Sequence, residues 1–502
     1  MKSSSIVIAL VLFILTISNC QKRDIEPEEQ KEQEFNPNLE SLGPWQPPQW
    51  FEDAVLGFYI HWGPYSVPGF AFLDPSERVD SGIWYGGCMY EPDGSLGCYE
   101  FHKENYGDPC DFGYHDLLPL FKAENWDPDR WASLYKHAGA DFAGVCAEHG
   151  DGFPMWDTKY DSYNVMNHGP KRDVLGEMFA AARRQGMKTI ATIHEHPGSI
   201  YANAKELCPE SANDPQYKDL YELSSSEELY NKVIELVDNY QPNQLWFETA
   251  EIYGEQRWAD FVSHYYTAAQ NWESGAVITQ KSRASNLLSH TALDIEGGEF
   301  PGGIWEWRGE TEPQQQRWQK DVPIGNYWAY AEGVGCRPVN MLVDGIVDRI
   351  SKNGVTLLNM APKADGTFPQ EQIDCLQELG NWMQVNKEAL YAAKPAHFVE
   401  GGIDIWSNGT FRFMEKGNYL YAVDLGNVWP TDRGFADYED STKPTAPIKI
   451  KGAVPIPGSV IRMLGSDEDL SWHMEGSDLV IDELPQSLPG DYAWSFKIQI
   501  SE

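Results

Sequence analysis

Basic residues are scarce in this chain. Its 502 residues hold 38 Lys and Arg against 76 Asp and Glu, a formal net charge of −38. A surface of that sign repels phosphate backbones, which excludes nucleic acid as a partner. It equally disfavours docking of the folded chain on anionic lipid. Long apolar runs are also missing. Ile6 to Ile17 is twelve residues, too short to span a bilayer as a helix. Cysteine is sparse, 8 in all, and no spacing among them matches a zinc site. There is no internal repeat, no cofactor motif and no metal motif, so the sequence implies neither a cofactor nor a metal.

What remains is a chain able to bury a core, at 42% hydrophobic residues. Aromatics reach 13%, with 19 Trp, a surplus from which sugar-stacking platforms can be drawn although most will be core. Lys2 and the apolar run form an export segment that ends in Ile17-Ser18-Asn19-Cys20. That ending resembles a bacterial lipobox, with Cys20 as the lipidated first residue of an exported lipoprotein in the periplasm or at the outer-membrane surface. An ordinary secretory signal is the alternative. Residues 21–45, rich in Glu, Lys and Pro at first, read as an acidic flexible tether. The membrane would be met only through that N-terminal lipid.

Seven cysteines follow Cys20, so at least one thiol is free. Export favours disulfides, and Cys88 and Cys98, bracketing a Gly-rich loop, are the candidate pair. Cys146 and Cys375 lie in apolar surroundings and are expected to be buried.

Between residues 46 and 392, strand-length and helix-length segments alternate. Strands are expected at Leu56–His61, Asp141–Ala147, Lys188–His194, Gln244–Phe247, Ala276–Thr279 and Val355–Met360. Helices are expected at Val174–Gln185, Ser226–Tyr240 with Ser226 as N-cap, Gln256–Trp272, Pro338–Lys352 and Pro369–Asn386. This pace implies a parallel sheet, and the number of units fits a (β/α)8-like barrel. Residues 393–502 carry short alternating segments, from Phe411–Phe413 to Trp494–Ile500, which read as a C-terminal antiparallel β-sandwich.

Polar residues recur where the barrel strands stop. His61 and Trp62 end the first; Glu148, His149 and Asp151 the second; His194, Glu195 and His196 follow the third. Glu248 ends Gln244–Phe247, and Arg283 and Glu299 lie beyond Ala276–Thr279. Each alone has an ordinary structural explanation. Together they fall on the face where barrel enzymes keep their sites. Two carboxylates among aromatics point to glycoside hydrolysis, one acting as nucleophile or base and one as acid. Trp246 could pack on a sugar ring.

The segments LGFYIHWGPYSVP, EHGDGFPMWDTKYDSYNVMN, QLWFET, VPIGNYWAY and DGIVDRISKNGVTLLNMAPKADGTFP resemble glycoside hydrolase family 29, the α-L-fucosidases, from about residue 45 to 395. The resemblance implies a (β/α)8-like barrel with a β-sandwich and a retaining mechanism on an oligosaccharide or polysaccharide. It implies sugar-binding roles for His61 with its neighbour Trp62, for His149, for Trp246 and for Arg283. Trp84, Tyr85 and His194 join them as substrate-binding candidates. Glu248 stands at the nucleophile position and Glu299 at the acid/base position, with Glu306 the next acid candidate. The chain departs from the family pattern at four places. Glu248 replaces the usual aspartate, Gly150 a second histidine, Ile83 a glutamate, and Thr192 and Ile193 two tyrosines. An added methylene moves a carboxylate by roughly 1.5 Å, enough to matter where about 1 Å can cost a hundredfold in rate. Two alternatives follow: a relative acting on another substrate, such as an L-galactoside or a sulfated or branched glycan, or a glycan-binding protein that no longer cleaves. Lys281, Arg308 and Arg337 are candidates to meet an anionic substituent.

Overall fold

The computed structural model describes residues 46–71, 82–94, 97–194, 198–248, 253–281, 292–293, 314–396, 410–426 and 442–501. Eight parallel strands run in the order β6-β5-β4-β3-β2-β1-β8-β7. They are β1 (Leu56–Ile60), β2 (Phe142–Glu148), β3 (Lys188–Ile193), β4 (Gln244–Phe247), β5 (Val277–Gln280), β6 (Ala292–Leu293), β7 (Trp318–Pro323) and β8 (Gly354–Met360). This is the cyclic order of a (β/α)8 barrel. Seven neighbouring pairs are hydrogen-bonded, and the two end strands, β6 and β7, come within 8 Å Cα to Cα.

Pleating divides each strand between two apolar layers. Phe58, Val145, Ala191 and Leu245 face the helices and join the main core. Tyr59, Phe142, Ile190, Trp246 and Leu357 form a separate cluster inside the barrel. The interior is tight: a Cβ on Gly144 would lie 1.6 Å from the Ile190 carbonyl oxygen, so no larger residue fits there without moving β3. One outer helix follows the expected amphipathic pattern. The helix Ser226–Tyr240 buries Leu229, Val233, Leu236 and Val237. Its cap is Ser225, whose side chain accepts from the Glu228 amide, and Ser226 is the first helical residue.

The strand β7, WQKDVP, was not expected. Lys320 and Asp321 break its apolar pattern, yet all six residues are buried. A polar layer within the barrel receives Gln319 and Asp321: Gln244 donates to Thr279 and to Gln319 at 2.9 and 2.8 Å, and the Tyr59 hydroxyl donates to Asp321 at 3.2 Å.

The C-terminal region holds a five-stranded and a three-stranded antiparallel sheet. Strands Phe411–Lys416, Tyr419–Asp424 and Trp494–Gln499 pair in the first, and Asp478–Ile481 is central in the second. Phe413, Ala422, Ile450, Ile481, Phe496 and Ile498 share one core between them.

Three disulfides join Cys88 to Cys98, Cys110 to Cys208 and Cys336 to Cys375. The first was expected. Cys375 is buried but bonded, because a partner 39 residues earlier folds against it. Among the described residues the free thiol is Cys146, which is buried.

Candidate functional site

Consecutive parallel strands deliver their C-terminal residues to one rim. His61 follows β1, His149 follows β2, His194 follows β3, Glu248 follows β4 and Lys281 follows β5. The three imidazoles form one buried cluster, with ring centroids 5.2 Å apart for His61 and His149, 4.9 Å for His61 and His194, and 4.6 Å for His149 and His194.

The orientation of His61 is set by Asn359 of β8. The Asn359 side-chain amide donates to the Trp328 carbonyl at 2.6 Å, which turns its oxygen toward His61. That oxygen accepts from both the His61 backbone amide and Nδ1, each at 2.8 Å. Nδ1 therefore carries the proton, and the buried Nε2 presents a lone pair with no protein partner. Burial, reinforced by His194, pushes the His61 pKa down to about 3. Burial, His194 and His61 likewise hold His149 well below the ordinary histidine range. Both rings are neutral acceptors or donors suited to hydroxyl groups.

Glu248 lies beside them with 35% of its side chain exposed. Its Oε2 is 3.4 Å from His194 Nδ1 and its Oε1 is 3.7 Å from Lys281 Nζ. Burial would raise its pKa, but the His194 hydrogen bond and the charge of Lys281 outweigh it and hold the carboxyl well below the usual range. An ionised carboxylate open to solvent, with a cation and an imidazole on its two oxygens, can act as a nucleophile. Trp246, expected to pack on a sugar ring, is instead buried in the barrel interior, its ring 4.8 Å from His194 and under the Lys281 ammonium at 5.9 Å. Trp328 faces His61 at 5.5 Å. It was missed as a site residue, although it sits in the VPIGNYWAY segment.

Trp84 stands at the rim, 37% exposed, with its ring 5.3 Å from His149. Its indole lies where a side chain on residue 150 would project: a Cβ on Gly150 would be 3.1 Å from Trp84 Cζ3. The glycine and the tryptophan are thus one arrangement.

Several candidates lie elsewhere. Trp62 is not in the site. Adjacent residues at a strand end point to opposite sides, so with His61 inward Trp62 turns to the helices. There it packs on Phe121, Trp126 and Trp131, and its indole donates to the Lys363 carbonyl at 2.8 Å. Tyr85 is fully buried, its hydroxyl 3.0 Å from His102 Nδ1, one residue past the rim position of Trp84. Glu148 is committed to Lys232 at 2.8 Å, in a buried ion pair that Asp161 shares at 3.0 Å. Asp151 accepts from the Tyr114 hydroxyl at 2.7 Å and braces its own loop. Arg337 is buried and donates to the Pro323 and Gly325 carbonyls, where it supports the loop after β7. Lys281, another anion candidate, faces Glu248. Arg283, Glu299, Glu306, Arg308, Glu195, His196 and Cys20 lie outside the described residues.

Comparison with known proteins agrees with this geometry. Residues 24–388 match the family model described as Alpha-L-fucosidase. The chain is 27% identical to the plasma alpha-L-fucosidase of Homo sapiens over 483 residues, covering 92% of each. It is 26% identical to the tissue alpha-L-fucosidase of Rattus norvegicus over 518 residues, covering 99% of this chain and 98% of the other. Among solved structures, the Thermotoga maritima alpha-fucosidase in complex with fucose superposes with a TM-score of 0.71 at 27% identity, over 92% of this chain and 100% of that one. With a family match spanning most of the barrel and a site built at the ends of its strands, this chain belongs to the alpha-L-fucosidase family and is a glycosidase.

Proposed function

We propose that the protein is a retaining, exo-acting glycoside hydrolase that releases terminal L-fucose, or a closely related sugar, from glycans. The observation that carries this reading is the setting of Glu248. Its carboxylate is ionised, partly open, and held through both oxygens at the end of β4. In this reading Glu248 attacks the anomeric carbon and forms a glycosyl-enzyme as the leaving oxygen takes a proton from Glu299. Water, deprotonated by Glu299, then releases the sugar with retained configuration. His61, His149 and His194 line the polar floor for sugar hydroxyls, Trp84 offers an apolar face, and Arg283 contributes charge. Departures at Glu248 and Gly150 favour a sugar seated differently from that of relatives with the usual residues.

The test is the anomeric configuration of the first-formed product from an aryl α-L-fucoside, followed by proton NMR. Retention is expected, and net inversion would sink the nucleophile assignment. Glu299→Ala should slow substrates with poor leaving groups far more than activated aryl glycosides; equal loss on both would pass the acid role to another group, Glu306 first.

The N-terminal sequence supports placement outside the cytoplasm through lipid on Cys20. Cys20→Ala expressed from the full chain should then move from the membrane to the soluble fraction. Equal partitioning of both forms into detergent would overturn the anchor.

A further inference from the structure

The free thiol Cys146 is not accounted for by the hydrolytic site. It lies on β2 between Val145 and Ala147, which face the helices, so its side chain points into the barrel. Register brings it to the imidazoles. Cys146 pairs with Thr192, two residues before His194, and Phe58 pairs with Ala143, which sets His61 level with Cys146 three residues further on. Three adjacent strands thereby bring one thiol and two imidazoles together. The ligand-capable atoms of His61, Cys146 and His194 all lie within 4.8 Å of one another, and all three residues are buried.

The surroundings of the two histidines are those of metal ligands. Such histidines donate the second ring N–H to an oxygen, which orients the ring and makes the free nitrogen more basic. His61 Nδ1 donates to the Asn359 oxygen at 2.8 Å. His194 Nδ1 faces the Glu248 carboxylate at 3.4 Å. Nε2 of each is buried and has no protein partner. The two histidines are 2% and 6% exposed.

We propose that His61, His194 and Cys146 bind a thiophilic divalent cation, zinc above all, at the floor of the pocket, so that the ion and the sugar exclude one another. Two imidazoles and a thiolate match zinc chemistry. Zinc–nitrogen bonds of about 2.0–2.1 Å and a zinc–sulfur bond of about 2.3 Å ask the three atoms to draw in from their present limit by about 1 Å. Side-chain rotation can supply that. On binding, the thiol proton leaves to solvent, the zinc–sulfur bond forms, and nothing is oxidised or reduced. The exclusion rests on the sugar reading of this pocket; the ion binding does not.

Cobalt(II) is the probe, added to the full chain under conditions that keep the disulfides intact. A near-ultraviolet thiolate-to-cobalt absorption with visible d–d bands is expected, and Cys146→Ser should lose the near-ultraviolet band, which sets the site apart from any ion held at Cys20. Zinc should displace the cobalt spectrum. It should also inhibit hydrolysis competitively, with inhibition weakened about tenfold or more in Cys146→Ser relative to that variant's own zinc-free rate. Absence of the wild-type band, or its survival in Cys146→Ser, overturns the ion site; the wild-type spectrum decides this whatever the variant's folding. Persistence of the band in saturating L-fucose overturns the exclusion and counts against the sugar reading, whereas an inactive protein that binds cobalt overturns only the hydrolytic reading.

Discussion

His194 Nδ1 approaches Glu248 Oε2 at 3.4 Å, and this pair joins β3 to β4 at the mouth of the barrel. The histidine orients the longer carboxylate that this chain carries where its relatives usually have aspartate. His194→Phe, which removes the donor, should lower kcat/KM by about tenfold to a hundredfold, the value of a hydrogen bond to a charged group. Glu248→Asp should lose activity too. The double variant should lose less than the sum of the two, since both disturb one contact. Strict additivity in steady-state kinetics would mean the pair does not act together.

Removing the nucleophile is a separate test. Glu248→Gly should abolish turnover, and added azide should restore it by occupying the vacated space. Product bearing azide, identified by mass spectrometry, would locate the attack.

Gly150 and Trp84 are coupled by contact, with a Cβ on Gly150 placed 3.1 Å from the indole. Gly150→Ala should push Trp84 outward and raise KM severalfold with a smaller change in kcat. The stability loss should fall below the about 1–3 kcal/mol typical of overpacking, because the indole is half-free to move. Unchanged KM and tryptophan fluorescence would show that the two do not communicate.

Lys232 is fully buried and shared by Glu148 and Asp161. Burial alone would lower its pKa, but the two carboxylates raise it, so it stays charged. Lys232→Met strands two buried carboxylates and should destabilise the barrel by about 3–5 kcal/mol in urea unfolding. A loss below about 1 kcal/mol would mean that the cluster is solvated.

Asp151 carries a pH signature. Burial raises its pKa to about 7, against hydrogen bonds from Tyr114 and the Phe153 amide. A carboxyl that holds its proton more tightly when folded stabilises the fold fully below its unfolded pKa of about 4 and loses that contribution as pH rises through about 7. Asp151→Asn should therefore flatten the melting-temperature profile between about pH 4 and pH 7. The same slope in both proteins would assign it to other groups.

The strand and helix alternation, the amphipathic helices and the histidines at strand ends were legible in the sequence, because burial imposes periods of 2 and 3.6 on the residue pattern. Glu248 was legible for the same reason, since it follows a four-residue strand. Proximity across strands was not. Trp62 and His61 are neighbours in sequence and part company in the fold because the pleat sends them to opposite layers. Lys281, Trp328 and Asn359 meet Glu248 and His61 only once the barrel curls, and WQKDVP reads as polar until the interior supplies its partners. Glu148 and Asp151 look like site carboxylates until Lys232 and Tyr114, distant in the chain, claim them. Sequence periodicity encodes which side of an element is buried; which residues from separate elements converge is decided by strand order and register, and those come from the packing of the whole barrel.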